Sequence, residues 1–549
     1  MKTSTESTNS AFKNVILFRL HLIGLSEGRE IRKEVLIMGE TTSNRGRLRR
    51  RLVRLLTALF VVFAQHHGVS AQTRTKPVVV LQGSDLESLN PQWHNTTSNH
   101  AIWRHIIEPL VEYDFNKRRY VGVLAESWTA KGTEWIFKLR RNIKFHSGTD
   151  LTAADVVYTF KRSMDSKLSR QNQLRRLVKS IHATDSYTVS VTTEKPLVSF
   201  LEYIDNLTIL SETTAKESGD EGTFGGKPVG TGPFRFVEWT RGGMFVMERN
   251  PGYWGKAPKI DRVIWRSVPE VPARIAALEA GQADLIVYVP PHELDRFKGN
   301  PSVRTEESRT IRTFFLVLSP AHKPLDNKLL RQAINYAIDK DAIINYVLEG
   351  KAQRLDGVVG PAAFGYNSSY RPYSYNPAKA KELLAAAGFA NGFEIDFYSP
   401  SGNYTKDKEV AQAIVGQLAK VGIRARLLTP EWGVLNEIHT NGKCPICLRG
   451  RGTVLDPDNW LYDYFGTGGS KRSLYSNPEF DRLLQQQQQI FDPEQREPVL
   501  QKAMRLLLED APIVPLYNPV DSYGVSRRLI WKPSPKDYVS LLDAALADK

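Results

Sequence analysis

Cysteine is the scarcest chemistry in these 549 residues: only Cys444 and Cys447 occur, spaced C-x-x-C. Two thiols exclude a disulfide framework, and they supply half of the about four ligands that a structural zinc site needs. Pro445 inside the pair fits a redox motif weakly, so a local disulfide or inert thiols is the preferred reading. Long apolar runs are missing as well. The uncharged stretch Leu55 to Phe63 falls far short of the ~20 residues that cross a bilayer. Catalytic signatures are also missing: there is no G-x-S-x-G elbow, no H-E-x-x-H pair and no G-x-x-x-x-G-K-[ST] loop, since Gly225-Gly226-Lys227 is followed by Pro228. Scattered carboxylates can still meet in three dimensions. No enzyme is expected, and a hydrolase is the minor alternative.

What is present is a large globular composition, 41% hydrophobic and 24% charged. The chain exceeds the ~250 to 300 residues at which single cores stop growing, so two lobes are expected. The net charge of +15 invites a nucleic-acid reading. Its distribution argues against one. Residues 1–71 hold 12 of the 74 basic and 5 of the 59 acidic residues, which leaves a thin excess spread over several hundred positions. Arg45, Arg47, Arg49, Arg50, Arg51 and Arg54 form a positive n-region, Leu55 to Ala64 an apolar h-region, and Val69-Ser70-Ala71 a small-residue cleavage site before Gln72. Residues 38–71 therefore read as a secretory signal and 1–37 as an extension ahead of it. The predicted compartment is the periplasm.

Strands and helices alternate beyond the signal. Lys76 to Gln82 is a continuous apolar run, as a strand buried on both faces would be. Phe393 to Tyr398 alternates apolar and polar, Lys408 to Val421 carries Val410, Ile414, Leu418 and Val421 on one helical face, and Ile423 to Leu427 alternates again. That is a strand, helix, parallel-strand unit. Asn376 is predicted to cap a helix opened by Pro377, and Asp326 another with the stripe Leu330, Ala333, Ile334, Ala337. The Gln485 to Gln489 run reads as a solvated helix face. Gly230 and Gly232 in PVGTGPF read as a turn needing unusual dihedrals, and Thr152 as the cap of a helix bearing Asp155.

An ordered set of segments then runs to the C-terminus: LESLNP (86–91), LAESW (124–128), FKLRRNIKFHSGTDLTAADVVYTFKR (137–162), PVGTGPF (228–234), NPGYWGKAPKIDRV (250–263), ARIAALEAGQADL (273–285), LRQAINYAIDKDAI (330–343), LDPDNWLYDYF (455–465) and EDAPIVPLY (509–517). Together they resemble the peptide and nickel binding-protein family of ABC importers, the large oligopeptide- and dipeptide-binding type. The resemblance implies an α/β, two-lobed periplasmic-binding-protein fold of the large peptide-binding type with an extra subdomain in lobe one. Lobe one is expected at 72–316, with a subdomain at about 117–235, lobe two at 317–510, and a return to lobe one at 511–549. Phe314 to Pro320 and Pro512 to Asn518 are the expected crossing strands. The implied function is capture of a peptide or similar polar solute for an inner-membrane permease with its ATPase subunits. A monomer with no cofactor and no nucleic-acid partner is expected.

In the dipeptide-binding branch, a Trp-x-Gly-Asp loop precedes the DPDN-like segment and its Asp holds the peptide ammonium. Here Asp456-Pro457-Asp458-Asn459 fixes the alignment, Gly452 matches the Gly, Thr453 replaces the Asp and Gly450 the Trp. Arg449 and Arg451 stand nearby, and guanidinium groups repel an ammonium and suit carboxylate or phosphate. An anionic solute, opine or glutathione-like, is the alternative. The other candidate contacts are Trp432, Trp460 and Tyr462, with Trp93, His94 and Asn95 after the first strand. His94, His100 and His105 have no ligand spacing, so nickel or haem is a minor option.

Overall fold

The computed structural model describes residues 76–547 apart from 87, 94–96, 166–172, 219–225, 402, 453, 470 and 536–537. The signal at 38–71, the extension at 1–37, and His94, Asn95 and Thr453 among the site candidates lie outside the described residues. The apolar run forms the strand Val78–Gln82, parallel to both Arg262–Ser267 and Leu285–Ile286. Its central place explains its apolar character on both faces. Met244–Arg249 and Phe234–Trp239 extend the sheet antiparallel on one side. Phe393–Tyr398 pairs in parallel with Ile423–Leu428 across the helix Asp407–Ala419, as the pattern predicts, and with Ile446–Arg451.

One strand, Ile513–Ser526, joins these two groups into a 12-stranded sheet. Its first half pairs antiparallel with Thr313–Leu318 and its second half with Val303–Arg309 and Leu285–Ile286. Thr313–Leu318 is wholly buried and feeds two cores, Phe314, Leu316 and Leu318 into one and Phe315 and Val317 into the other, because successive side chains point to opposite faces. Where the partners change, the Thr310 amide and hydroxyl both donate to the Pro519 carbonyl, at 3.1 and 3.0 Å, and Arg312 pairs with Asp521. A separate four-stranded sheet, with Ala125–Lys131, Glu134–Leu139, Thr188–Thr193 and Val178–Asp185 in that order, has its own core around Phe137, Phe160 and Phe200.

Helix punctuation follows local chemistry, with three corrections. Asn376 caps Pro377–Ala386 by accepting from the Lys379 amide at 2.9 Å. The cap of Lys328–Ala337 is Asn327, one residue beyond Asp326, and it accepts from the Leu329 amide. Asp155 accepts from the amide and hydroxyl of Thr152 and from the Glu212 amide, which ties Ala153–Asp165 to the start of the helix Glu212–Ser218. Gly230 and Gly232 have no positive φ; close approach selects them, because a Cβ would lie 2.0 Å and 2.6 Å from the carbonyls of Ile106 and His105. The glutamine run is only partly solvated, since Gln487 is fully buried against Asp458.

Candidate functional site

Strand alternation puts Arg449 opposite Phe315 and Arg451 opposite Thr313, at the end of Ile446–Arg451 that reaches the crossing strands. Arg449 is 5% exposed beneath the helix Trp432–Thr440. Its guanidinium carbon lies 4.8 Å from the Trp432 ring centroid and Nη2 donates to Asn436 Oδ1 at 2.6 Å. Tyr404 meets Trp432 edge-on at 5.7 Å and Phe314 at 4.8 Å. Gly450 fits between them, a Cβ there coming 3.1 Å from both Phe314 and Tyr404. His439, on the next turn after Asn436, is fully buried. Its pKa falls to about 2 through burial and then the Arg449 and Arg472 charges, so it is neutral. Burial works against the Arg449 charge, but Tyr464, Cys447 and Tyr404 outweigh it and hold the pKa above the usual value.

Nε and Nη1 of Arg449 and both ring nitrogens of His439 are buried without a hydrogen-bond partner among the described residues. No carboxylate there pairs with Arg449. A stack on tryptophan and one hydrogen bond return roughly 2 to 3 kcal/mol together, while burying a lone charge costs several.

The DPDN segment has its own geometry. Asp456 receives a two-pronged bond from Arg496, with Nη2 at 2.7 Å. Asp458 is fully buried and accepts from Gln487, from Gln488 at 2.9 Å and from the Ser199 hydroxyl, 259 residues away in sequence. Beside that bridge the Val198 amide donates to the Gln488 carbonyl at 3.2 Å, and Phe491 packs on Trp135. Burial, then the Asp456 charge, raises the pKa of Asp458. Glu202 is raised well above the carboxylate range by burial and then by Asp456, with Arg451 opposing, and its Oε2 has no partner.

Of the candidates, Trp432 and Arg449 are brought into contact, and Arg451 lies two residues on, within electrostatic reach of Glu202. Trp460 is 1% exposed, packed on Phe315 and Tyr464, which assigns it to core packing. Tyr462 is 45% exposed and Gly452 exposed. Trp93 is partly buried with an unpartnered indole nitrogen. No contact recorded among the described residues joins it to the Arg449 group. Tyr404, Asn436, His439, Ser199 and Glu202 had no sequence signal, since none sits in a recognisable motif. Cys444 and Cys447 are free and buried, and burial raises the Cys444 thiol. His105 is structural, with Nδ1 2.6 Å from the Ala101 carbonyl and Nε2 accepting from the Leu541 amide. Among the described residues no group of three His, Cys, Asp or Glu is placed to hold a metal ion. Cavities of about 730 and 240 Å³ lie elsewhere, the larger beside Tyr158, Lys161 and His182, the smaller beside Tyr370 and Arg505.

Two groups of strands joined by one shared strand, with a polar bridge between Ser199 and Asp458, describe a two-lobed periplasmic binding protein. Residues 119–472 match the model of bacterial extracellular solute-binding proteins, family 5, middle. The chain belongs to that family. It is 30% identical over 465 residues to heme-binding protein A of Haemophilus influenzae, covering 79% of this chain and 85% of that protein. It is 31% identical over 464 residues to glutathione-binding protein GsiB of Escherichia coli (strain K12), covering 80% and 88%. Among solved structures, the ABC transporter-associated periplasmic binding protein DppA of Helicobacter pylori, in complex with the peptide STSA, matches with a TM-score of 0.73 and 29% identity over 87% of this chain and all of that one. These relatives carry the names of binding proteins, and the family is one of extracellular solute-binding proteins. No helix among the described residues is long and apolar enough to cross a membrane.

Proposed function

We propose that this chain is exported by the signal at 38–71 and, in the periplasm, captures a peptide or similar polar solute between two lobes for delivery to an inner-membrane ABC permease and its ATPase subunits. It acts as a monomer. The lobes are 72–316 with the return at 511–549, and 317–510, with the subdomain at about 117–235. The observation that carries the reading is Ile513–Ser526, one strand shared by both halves of the sheet, together with the Ser199 to Asp458 bridge: a joint on one side and a closing contact on another. Closing over the solute changes the surface that the permease meets. Trp93, His94, Asn95, Trp432, Arg449, Arg451, Gly452, Thr453 and Tyr462 are the proposed solute-facing residues.

A second reading, an anionic solute such as a glutathione-like compound or an opine, is favoured by Arg449, which is buried near the position where an acidic anchor is replaced by Thr453. Mass spectrometry of the small molecule that copurifies with the exported protein tests both readings. A peptide or acid released on denaturation, which raises the melting temperature when added back, is the expected result. Preparations that carry no solute, and that no member of a peptide, glutathione and opine panel stabilises, would overturn capture.

A further inference from the structure

We infer that Arg449 takes a carboxylate of the bound solute, in a site walled by Trp432, Asn436, His439 and Tyr464. This deepens the capture reading and rests on it. Other buried guanidiniums are committed to acids or to main-chain carbonyls, Arg104 to Asp205, Arg496 to Asp456, Arg274 to Val268 and Pro269, and Arg331 to Leu325, Asp326 and Asp510, while Arg162, like Arg449, meets an amide oxygen, that of Gln92. Arg449 has one amide oxygen and an aromatic face. The Tyr464 hydroxyl stands beside the guanidinium and favours its charge without completing it, because Nε and Nη1 remain unpartnered. Arg472, the next cation, is held by Asp463 and stacks on Tyr464, so no second arginine competes for the position.

The surroundings fit a planar anion. Trp432 fixes the guanidinium plane from one side, and Asn436 fixes its rotation through Nη2. The remaining N–H groups are then presented in a set direction, as a carboxylate requires. His439, neutral and with both ring nitrogens unpartnered, supplies one further N–H whichever tautomer it adopts. Trp432 and Tyr404 are only partly buried, so the guanidinium lies one aromatic layer beneath the surface. An ammonium in the same place would face two buried donors and a fixed positive charge, which excludes the amino end of a simple dipeptide from it.

The test uses the full exported protein freed of solute, with Arg449→Met and Arg449→Lys, and two probes, reduced glutathione and its diethyl ester. In the wild type the acid should raise the melting temperature and the ester should not. Arg449→Met should bind the acid about 10- to 100-fold more weakly, and Arg449→Lys should lie between. Equal response to acid and ester, or unchanged affinity in Arg449→Met, overturns the inference and leaves solute capture standing. If neither probe acts on the wild type, the inference is overturned as well. Capture itself is judged separately, by the copurifying solute.

Discussion

At Gly230 a single hydrogen atom decides whether two segments can touch. The segment Val229 to Phe234 lies on the chain end of the helix Thr97–Trp103, with the Gly232 amide donating to the Ile106 carbonyl at 2.9 Å and the His146 amide donating to the Gly230 carbonyl at 2.8 Å. A Cβ at 230 would come within 2.0 Å of the Ile106 oxygen and 2.8 Å of the Ile107 Cα, both backbone atoms that cannot turn aside. Gly230→Ala should therefore cost about 2 to 3 kcal/mol, read as a lower urea midpoint at an unchanged m-value. A midpoint equal to the wild type would mean that the contact opens cheaply. The glycines announced their importance in the sequence, but the reason was hidden. A glycine chosen for φ and a glycine chosen for clearance look alike until the opposing segment, more than 120 residues earlier, is in place. Asn376-Pro377 was legible because a cap acts within three residues, and the slip from Asp326 to Asn327 is the one-residue ambiguity of two adjacent capping side chains.

The helix Asp458–Phe465 shows what an element adds. Its DPDN opening was legible as a landmark, yet its work depends on partners at long separation: Asp458 faces Ser199 on one side and Gln487 and Gln488 on the other. The same distance hid Trp460 in the core, because an aromatic after DPDN fits a solute wall or a packing ridge equally well, and only Phe315 from the crossing strand decides it. Ser199→Ala removes the hydroxyl from the Asp458 bridge and leaves both glutamine bonds intact. If the bridge forms on closing, the closed population should fall and the solute should bind about 10-fold more weakly, near the 1.5 kcal/mol of a hydrogen bond to a charged group. Isothermal titration with the copurified solute measures this, and small-angle scattering of the solute-free variant should show a larger radius of gyration. Unchanged affinity would mean that the contact is equally present in the open form.

For the whole molecule, the bridge links closure to protons. Glu202 and Asp458 face each other's lobe with Asp456, itself held by Arg496, and with Arg451, Tyr203 and Tyr120. Asp205 nearby is paired with Arg104. Burial raises both carboxyl pKa values in this structure, and parting the lobes at the bridge would return water to them and let them drop toward the ordinary ~4. A group raised in the closed state stabilises that state fully below its open-state pKa, and the contribution is lost as pH rises through the closed-state pKa. Closing therefore takes up protons, and solute affinity should strengthen as pH falls from 7.5 toward 5.5, by at most about tenfold per pH unit for one linked proton. His439, at about 2, stays neutral across this window, and His100, His105 and His146, each lowered to about 4 by burial, do not charge there either. Arginine and an ordinary solute carboxylate do not titrate in it, and a substitution at the bridge decides whether the slope belongs there. Glu202→Gln, which fixes the neutral form, should bind as tightly at pH 7.5 as the wild type binds at lower pH, with a flatter profile. A slope that survives this substitution would move the linked proton to Asp458, and a flat wild-type profile would show that the carboxyls keep the same surroundings in both forms.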